Sequence, residues 1–91
     1  MNNPDQYIKF IDLNDEKKYY IYEYVRGMGD IAIYRKGRVV GKNKTVFDGD
    51  SQIDVPINAL KLGLYRGHKF EMFKTLEDLE GDLFMEALLD Y

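Results

Sequence analysis

Catalytic chemistry needs nucleophiles, bases or metal ligands, and this chain holds few of them. His68 is the only histidine, Ser51 the only serine, and there is no cysteine. Disulfides, thiolate metal sites and cysteine nucleophiles are therefore excluded. A zinc site would need three carboxylates beside the one imidazole, an uncommon donor set. Ser51 lies in no nucleophile motif, and His68 follows Gly67 in an expected turn, so the spacing does not point to a serine hydrolase. Asp48, Asp50, Gln52 and Asp54 alternate like the start of a calcium loop. The sixth and twelfth positions of that motif require glycine and glutamate, and here they are Ile53 and Ala59. A solvated acidic loop is the better reading, although three aspartates so spaced could also hold magnesium. Gly27 and Gly29 have the spacing of a phosphate-binding loop. That motif needs a helix next, and the strand-like Ile31–Ala32–Ile33–Tyr34–Arg35 follows instead. A carboxylate pair for glycoside hydrolysis requires a cleft that a chain of 91 residues seldom offers. The expectation is a protein that is not an enzyme and uses no cofactor and no metal.

Binding is the alternative to chemistry, and two features bear on it. The first is charge segregation. From Lys17 to Lys44 there are eight basic and two acidic residues; from Glu71 to Tyr91 there are seven acidic residues and one lysine. The two halves either attract each other within the fold or present opposite faces to a partner. The candidate contacts are Glu77, Asp78, Glu80, Asp82 and Glu86 on the acidic side, and Arg35, Lys36 and Arg38 on the basic side. The second feature is the run Lys18–Tyr19–Tyr20–Ile21–Tyr22–Glu23–Tyr24–Val25, which adds Tyr22 and Tyr24 to the candidates. Tyrosine and arginine combine buried area with directional hydrogen bonds, which enriches them at interface centres.

The expected function is a non-catalytic protein-binding module whose protein partner carries a basic surface. Small, acidic, cysteine-free chains of this kind occur among phage-encoded inhibitors of bacterial nucleic-acid-handling or defence enzymes. The alternative is a module for single-stranded DNA or RNA, stacking bases on Tyr20, Tyr22, Tyr24 and Tyr34 beside the basic hairpin. The N-terminus lacks the basic and apolar regions of a signal peptide, and no apolar run approaches a membrane span. The chain therefore reads as cytoplasmic, within the host cell if phage-encoded, with no membrane partner.

The elements that must position these residues follow from periodicity. One hundred residues or fewer support one core, so residues 1–91 are expected to form a single α+β domain with a flexible N-terminus over 1–6. Tyr7–Leu13 and the tyrosine run read as an antiparallel strand pair. Arg26–Asp30 marks a turn, and Ile31–Arg35 a third strand. A tight turn at Arg35–Arg38 and another at Gly41–Lys44 separate short strands at Val39–Val40 and Thr45–Phe47, giving a meander. Val55–Tyr65 reads as a short helix capped by Asp54. His68–Phe73 is a last strand or an extended lead-in to the final helix.

That final helix starts at an N-cap, Thr75, with Asp78 three residues on. Leu76, Leu79, Leu83 and Ala87 follow a 3.6-residue period, widened by Phe84, Leu88 and Tyr91, while Met85 and Leu89 fall outside the stripe. The fold expected is an antiparallel sheet of four to five strands with this amphipathic helix packed on it. The face bearing Tyr20, Tyr22 and Tyr24 is read as the floor beneath the helix. The surplus apolar residues on the helix leave a homodimer open.

Overall fold

The computed structural model describes residues 6–42 and 44–89. The expected N-terminal tail up to residue 5, Asn43 of the second turn, and Asp90 and Tyr91 at the end of the helix lie outside the described residues. Among the described residues eight strands and two helices follow in order: β1 Tyr7–Asp12, β2 Tyr19–Met28, β3 Ile31–Lys36, β4 Arg38–Val40, β5 Lys44–Val46, β6 Gln52–Pro56, α1 Ile57–Leu62, β7 Leu64–Tyr65, β8 His68–Phe73 and α2 Leu76–Leu89. Six strands form one curled sheet in the order β6-β3-β2-β1-β8-β7, with every neighbouring pair antiparallel. β4 and β5 form a separate two-stranded ribbon.

The sheet is thus larger than four to five strands. Two of its members were hidden in the segment read as loop and helix. Gln52–Pro56 alternates exposed and covered residues as an edge strand, and its acidic and proline residues are what a sheet edge tolerates. The helix is shorter than expected and begins after Pro56, with no side-chain cap. It ends at Gly63, whose φ of 76° is the left-handed conformation that closes helices. Leu64 and Tyr65 then pair with β8 across a turn at Arg66 and Gly67, both with positive φ.

The second strand also runs further than its sequence suggests. Arg26, Gly27 and Met28 continue pairing with β3, and a bulge between Tyr24 and Arg26 absorbs one residue. The turn itself is Gly29–Asp30. Gln6, expected in the tail, is held against β2: the Tyr24 amide donates to its carbonyl at 2.7 Å.

Gly37 is not a hairpin turn. Its amide donates to the Ile21 carbonyl at 2.8 Å, so the chain keeps following β2 before leaving the sheet. Glycine is needed there for space. A Cβ at this position would lie 2.4 Å from the Phe47 ring and 2.8 Å from the Val46 carbonyl oxygen.

Both faces of the sheet are covered. On the concave face Ile8, Phe10, Tyr22, Ala32, Tyr34, Val55 and Phe70 pack with Ala59 and Leu60 of α1. On the other face Ile21 packs with Leu79 and Leu83 of α2, flanked by Tyr7, Tyr19, Phe47, Phe73 and Leu76. The final helix therefore lies on the Tyr19–Ile21 face, and the face of Tyr20, Tyr22 and Tyr24 belongs to the inside of the curl. Both faces of β2 are apolar, so period-2 alternation alone could not choose between them. No helix among the described residues is long and apolar enough to cross a membrane.

Candidate functional site

α2 is held by polar anchors as much as by its apolar stripe. Thr75 caps it, its hydroxyl accepting from the Asp78 amide at 3.1 Å. Beneath it, Lys9 of β1 is 3% exposed, buried on a sheet face otherwise lined by aromatic and aliphatic groups. Its ammonium donates to Asp82 at 3.0 Å and to Glu86, and lies 4.6 Å from the centre of the Tyr19 ring. Burial pulls the Lys9 pKa down, but the hydrogen bonds it donates to Glu86 and Asp82 and their charges more than compensate, so it lies above the ordinary lysine value. Two residues before Asp82, Glu80 accepts from both the Thr45 amide at 2.8 Å and the Thr45 hydroxyl at 3.0 Å. That pair fastens the β4–β5 ribbon to the helix.

Three of the candidate carboxylates are therefore engaged inside the fold. Glu80 holds the ribbon, and Asp82 and Glu86 neutralise Lys9. Glu77 and Asp78 remain in the exposed first turn, where the helix dipole favours negative charge. Among the basic candidates, Arg38 pairs with Asp48 at 3.2 Å in solvent, and this pairing holds the Asp48 carboxyl below its ordinary pKa. Lys36 turns to the concave side and stacks on Tyr20, its ammonium 4.6 Å from the ring centre. Arg35 sits opposite Glu23 in the β2–β3 register.

Of the tyrosines, Tyr22 is buried in the core, Tyr24 packs at its edge against Tyr34, and Tyr34 is fully buried. Burial raises the Tyr22 pKa, with a smaller contribution from Tyr20. Among the described tyrosines only Tyr20, at 45% exposure, presents a broad face to solvent. The ribbon bearing Arg38 joins the α2 side through Phe47 and Thr45, whereas Lys36 stays on the tyrosine face over Tyr20. The combined stacking and phosphate surface pictured from the sequence is thus divided.

What the structure adds is the outward face of α2. Phe84, Met85, Leu88 and Leu89 are 43, 56, 49 and 80% exposed. Beside Phe84, a shallow depression lined by Leu76, Glu77, Glu80 and Gly81 opens where Gly81 lacks a side chain. Spacing alone assigns Phe84 and Leu88 to the widened apolar stripe. Their exposure follows from how little of the helix the sheet covers: only Leu79 and Leu83 are buried.

The residues weighed for chemistry are dispersed. His68 donates its Nδ1–H to the Arg66 carbonyl at 2.9 Å and approaches Asp12 at 3.9 Å; Ser51 is not among its partners. Among the described residues no three His, Asp or Glu side chains gather closely enough to hold a metal ion. No protein-family model, curated protein or solved structure matches the chain.

Proposed function

We propose that the protein is a non-catalytic protein-binding module that engages its partner through the outward face of α2. The observation that carries this reading is the exposed quartet Phe84, Met85, Leu88 and Leu89, continuous with the depression at Gly81 and edged by Glu77. Contiguous apolar surface of this kind, rimmed by charge, marks interaction sites. Helical faces dock into grooves through anchors at i, i+3, i+4 and i+7 spacing, of which Met85–Leu88 supplies an i+3 pair and Phe84–Leu88 and Met85–Leu89 supply i+4 pairs.

The charge of the rim selects the partner. Glu77 and Asp78 favour a surface that is basic as well as apolar, of the kind nucleic-acid-handling enzymes present to phosphates. A second copy would bring one acidic helix against another. An inhibitor that covers such an enzyme is the most specific form of this reading.

The test compares the unmodified protein with Phe84→Glu/Leu88→Glu as bait in bacterial lysate. Both side chains are exposed, so the variant keeps its melting temperature. The unmodified bait recovers a basic protein that the variant does not, and the purified pair then binds in calorimetry with the same dependence. Equal recovery by both baits, or no protein distinguishing them, overturns the proposal.

A further inference from the structure

The curl of the sheet leaves its two edges, β6 and β7, facing each other across a cleft. The cleft encloses about 440 Å³ and is lined by Phe10, Tyr20, Tyr22, Tyr65 and His68, with Gln52, Ile53, Asp54 and Arg66 at its margins. Its volume falls within the range of ligand-binding clefts. The floor is aromatic: Phe10 meets the His68 ring edge-on at 4.2 Å and the Tyr22 ring at 5.9 Å. Each rim tyrosine carries a cation against its face, Lys36 on Tyr20 at 4.6 Å and Arg66 on Tyr65 at 5.2 Å.

The backbone along one wall is the second observation. In an antiparallel pair, hydrogen-bonded positions alternate with positions whose N–H and C=O groups point away. The phase is fixed here at both ends of the β3–β6 pair. The Lys36 amide donates to the Ser51 carbonyl at 2.9 Å, and the Ile57 amide donates to the Asp30 carbonyl at 2.8 Å. With Tyr34 opposite Ile53 and Ala32 opposite Val55, the inward positions are Ile53 and Val55. Gln52 and Asp54 therefore turn their backbone donors and acceptors outward, and both residues border the cleft. Among the described residues β6 pairs with no strand but β3. Pro56, at the next outward position, has no N–H, which ends the usable edge after two donors.

An open edge two donors long beside an aromatic cleft is the arrangement that accepts an added strand. Main-chain bonds to the edge supply affinity, and the cleft selects the side chains that enter it. We propose that β6 binds an extended peptide segment whose backbone bonds Gln52 and Asp54 and whose aromatic side chain enters the cleft. The two cations at the rim, Lys36 and Arg66, outnumber the one carboxylate there, Asp54, and favour carboxylates flanking that side chain. This surface lies on the concave face, apart from α2, and does not depend on the reading of α2.

The test uses the full chain, labelled for NMR, and three capped hexapeptides that alternate threonine with tyrosine. One has acidic ends, one has basic ends, and the third repeats the acidic one with N-methylated peptide bonds along its bonding edge. The acidic peptide saturates shifts at Tyr20, Tyr65 and His68 by millimolar concentration. It slows hydrogen exchange of the Gln52 and Asp54 amides, while the Ile53 and Val55 amides, already bonded to β3, change little. The basic peptide binds roughly tenfold more weakly, as expected for reversing two rim charges, and the methylated peptide does not bind. Failure of the acidic peptide to saturate overturns the proposal. So does saturation without protection of Gln52 and Asp54, equal binding by the methylated peptide, or protection of those amides by self-association of the protein alone.

Discussion

Lys9 is the residue whose replacement tests most of the reasoning about how α2 is held. The side chain is 4% exposed, whereas its partners Asp82 and Glu86 are 32 and 38% exposed. That asymmetry decides the magnitudes. Removing one member of a buried ion pair costs about 3–5 kcal/mol when the charge left behind stays buried. Lys9→Met leaves two carboxylates that already reach water, and methionine preserves most of the packing. Its expected loss is about 1–2 kcal/mol. Asp82→Asn with Glu86→Gln leaves the ammonium buried without an anion, and the loss returns to about 3–5 kcal/mol. For a domain of this size the first change lowers the melting temperature by about 5–15 °C and the second by at least twice as much.

The pH dependence gives an independent check. The Lys9 pKa in the folded protein lies above its ordinary value of 10.5. A raised lysine pKa means that the stabilisation is complete below the unfolded value and disappears as pH rises through the folded one. The gap between the unmodified protein and Lys9→Met is therefore constant through neutral pH and narrows above the ordinary lysine value. Burial also raises the hydroxyl pKa values of Tyr7 and Tyr22, whose shifts owe nothing to Lys9, so both proteins lose stability from these groups together on the alkaline side. The assay is thermal unfolding followed by circular dichroism across the alkaline range. Equal losses for the lysine and carboxylate variants, or a gap that widens with pH, would refute the argument.

Two glycines provide opposite tests. A Cβ at Gly81 meets nothing within 4 Å, so Gly81→Ala should raise helix stability by about 0.8–1 kcal/mol; a fall in the urea midpoint would show that the glycine serves the fold. At Gly37 a Cβ would lie 2.4 Å from the Phe47 ring. Gly37→Ala should therefore cost about 1–3 kcal/mol and release the ribbon, seen as faster hydrogen exchange at the Thr45 amide; unchanged exchange would show that Phe47 yields without strain.

The sequence was most informative where one signal acted alone. Thr75 and Asp78 announced the start of α2, and the alternation of Tyr7–Asp12 and Tyr19–Val25 announced the central strand pair. It was least informative where two principles competed. Asp54 and Pro56 read as a helix start because caps and first turns favour those residues, yet a sheet edge tolerates the same types. Gly37 read as a turn because glycine permits positive φ, whereas its role is to admit Phe47. Lys9 gave no signal at all. A single lysine among apolar residues of a strand reads as a solvent-facing position, and only the helix packed over it brings Asp82 and Glu86 into reach. The candidate carboxylates were correctly placed on one helix, but linear charge counting could not separate those consumed by the fold from those left outside.

That separation bears on why α2 carries more apolar surface than it buries. A helix laid on a sheet is usually fastened by its apolar stripe. Here Leu79 and Leu83 are buried, and Glu80, Asp82 and Glu86 fasten the same side to Thr45 and Lys9. With the helix held by polar bonds, Phe84, Met85, Leu88 and Leu89 are not required for attachment. Their exposure costs the free protein the burial they forgo, and a partner covering them would stabilise the folded state by mass action. The cleft on the other face draws on the same strand: Phe10, the next residue of β1, forms part of its floor. Adjacent residues of one strand thus serve opposite surfaces, Lys9 anchoring the helix and Phe10 lining the cleft. The two surfaces lie on opposite faces of the sheet, so occupation of one leaves the other open.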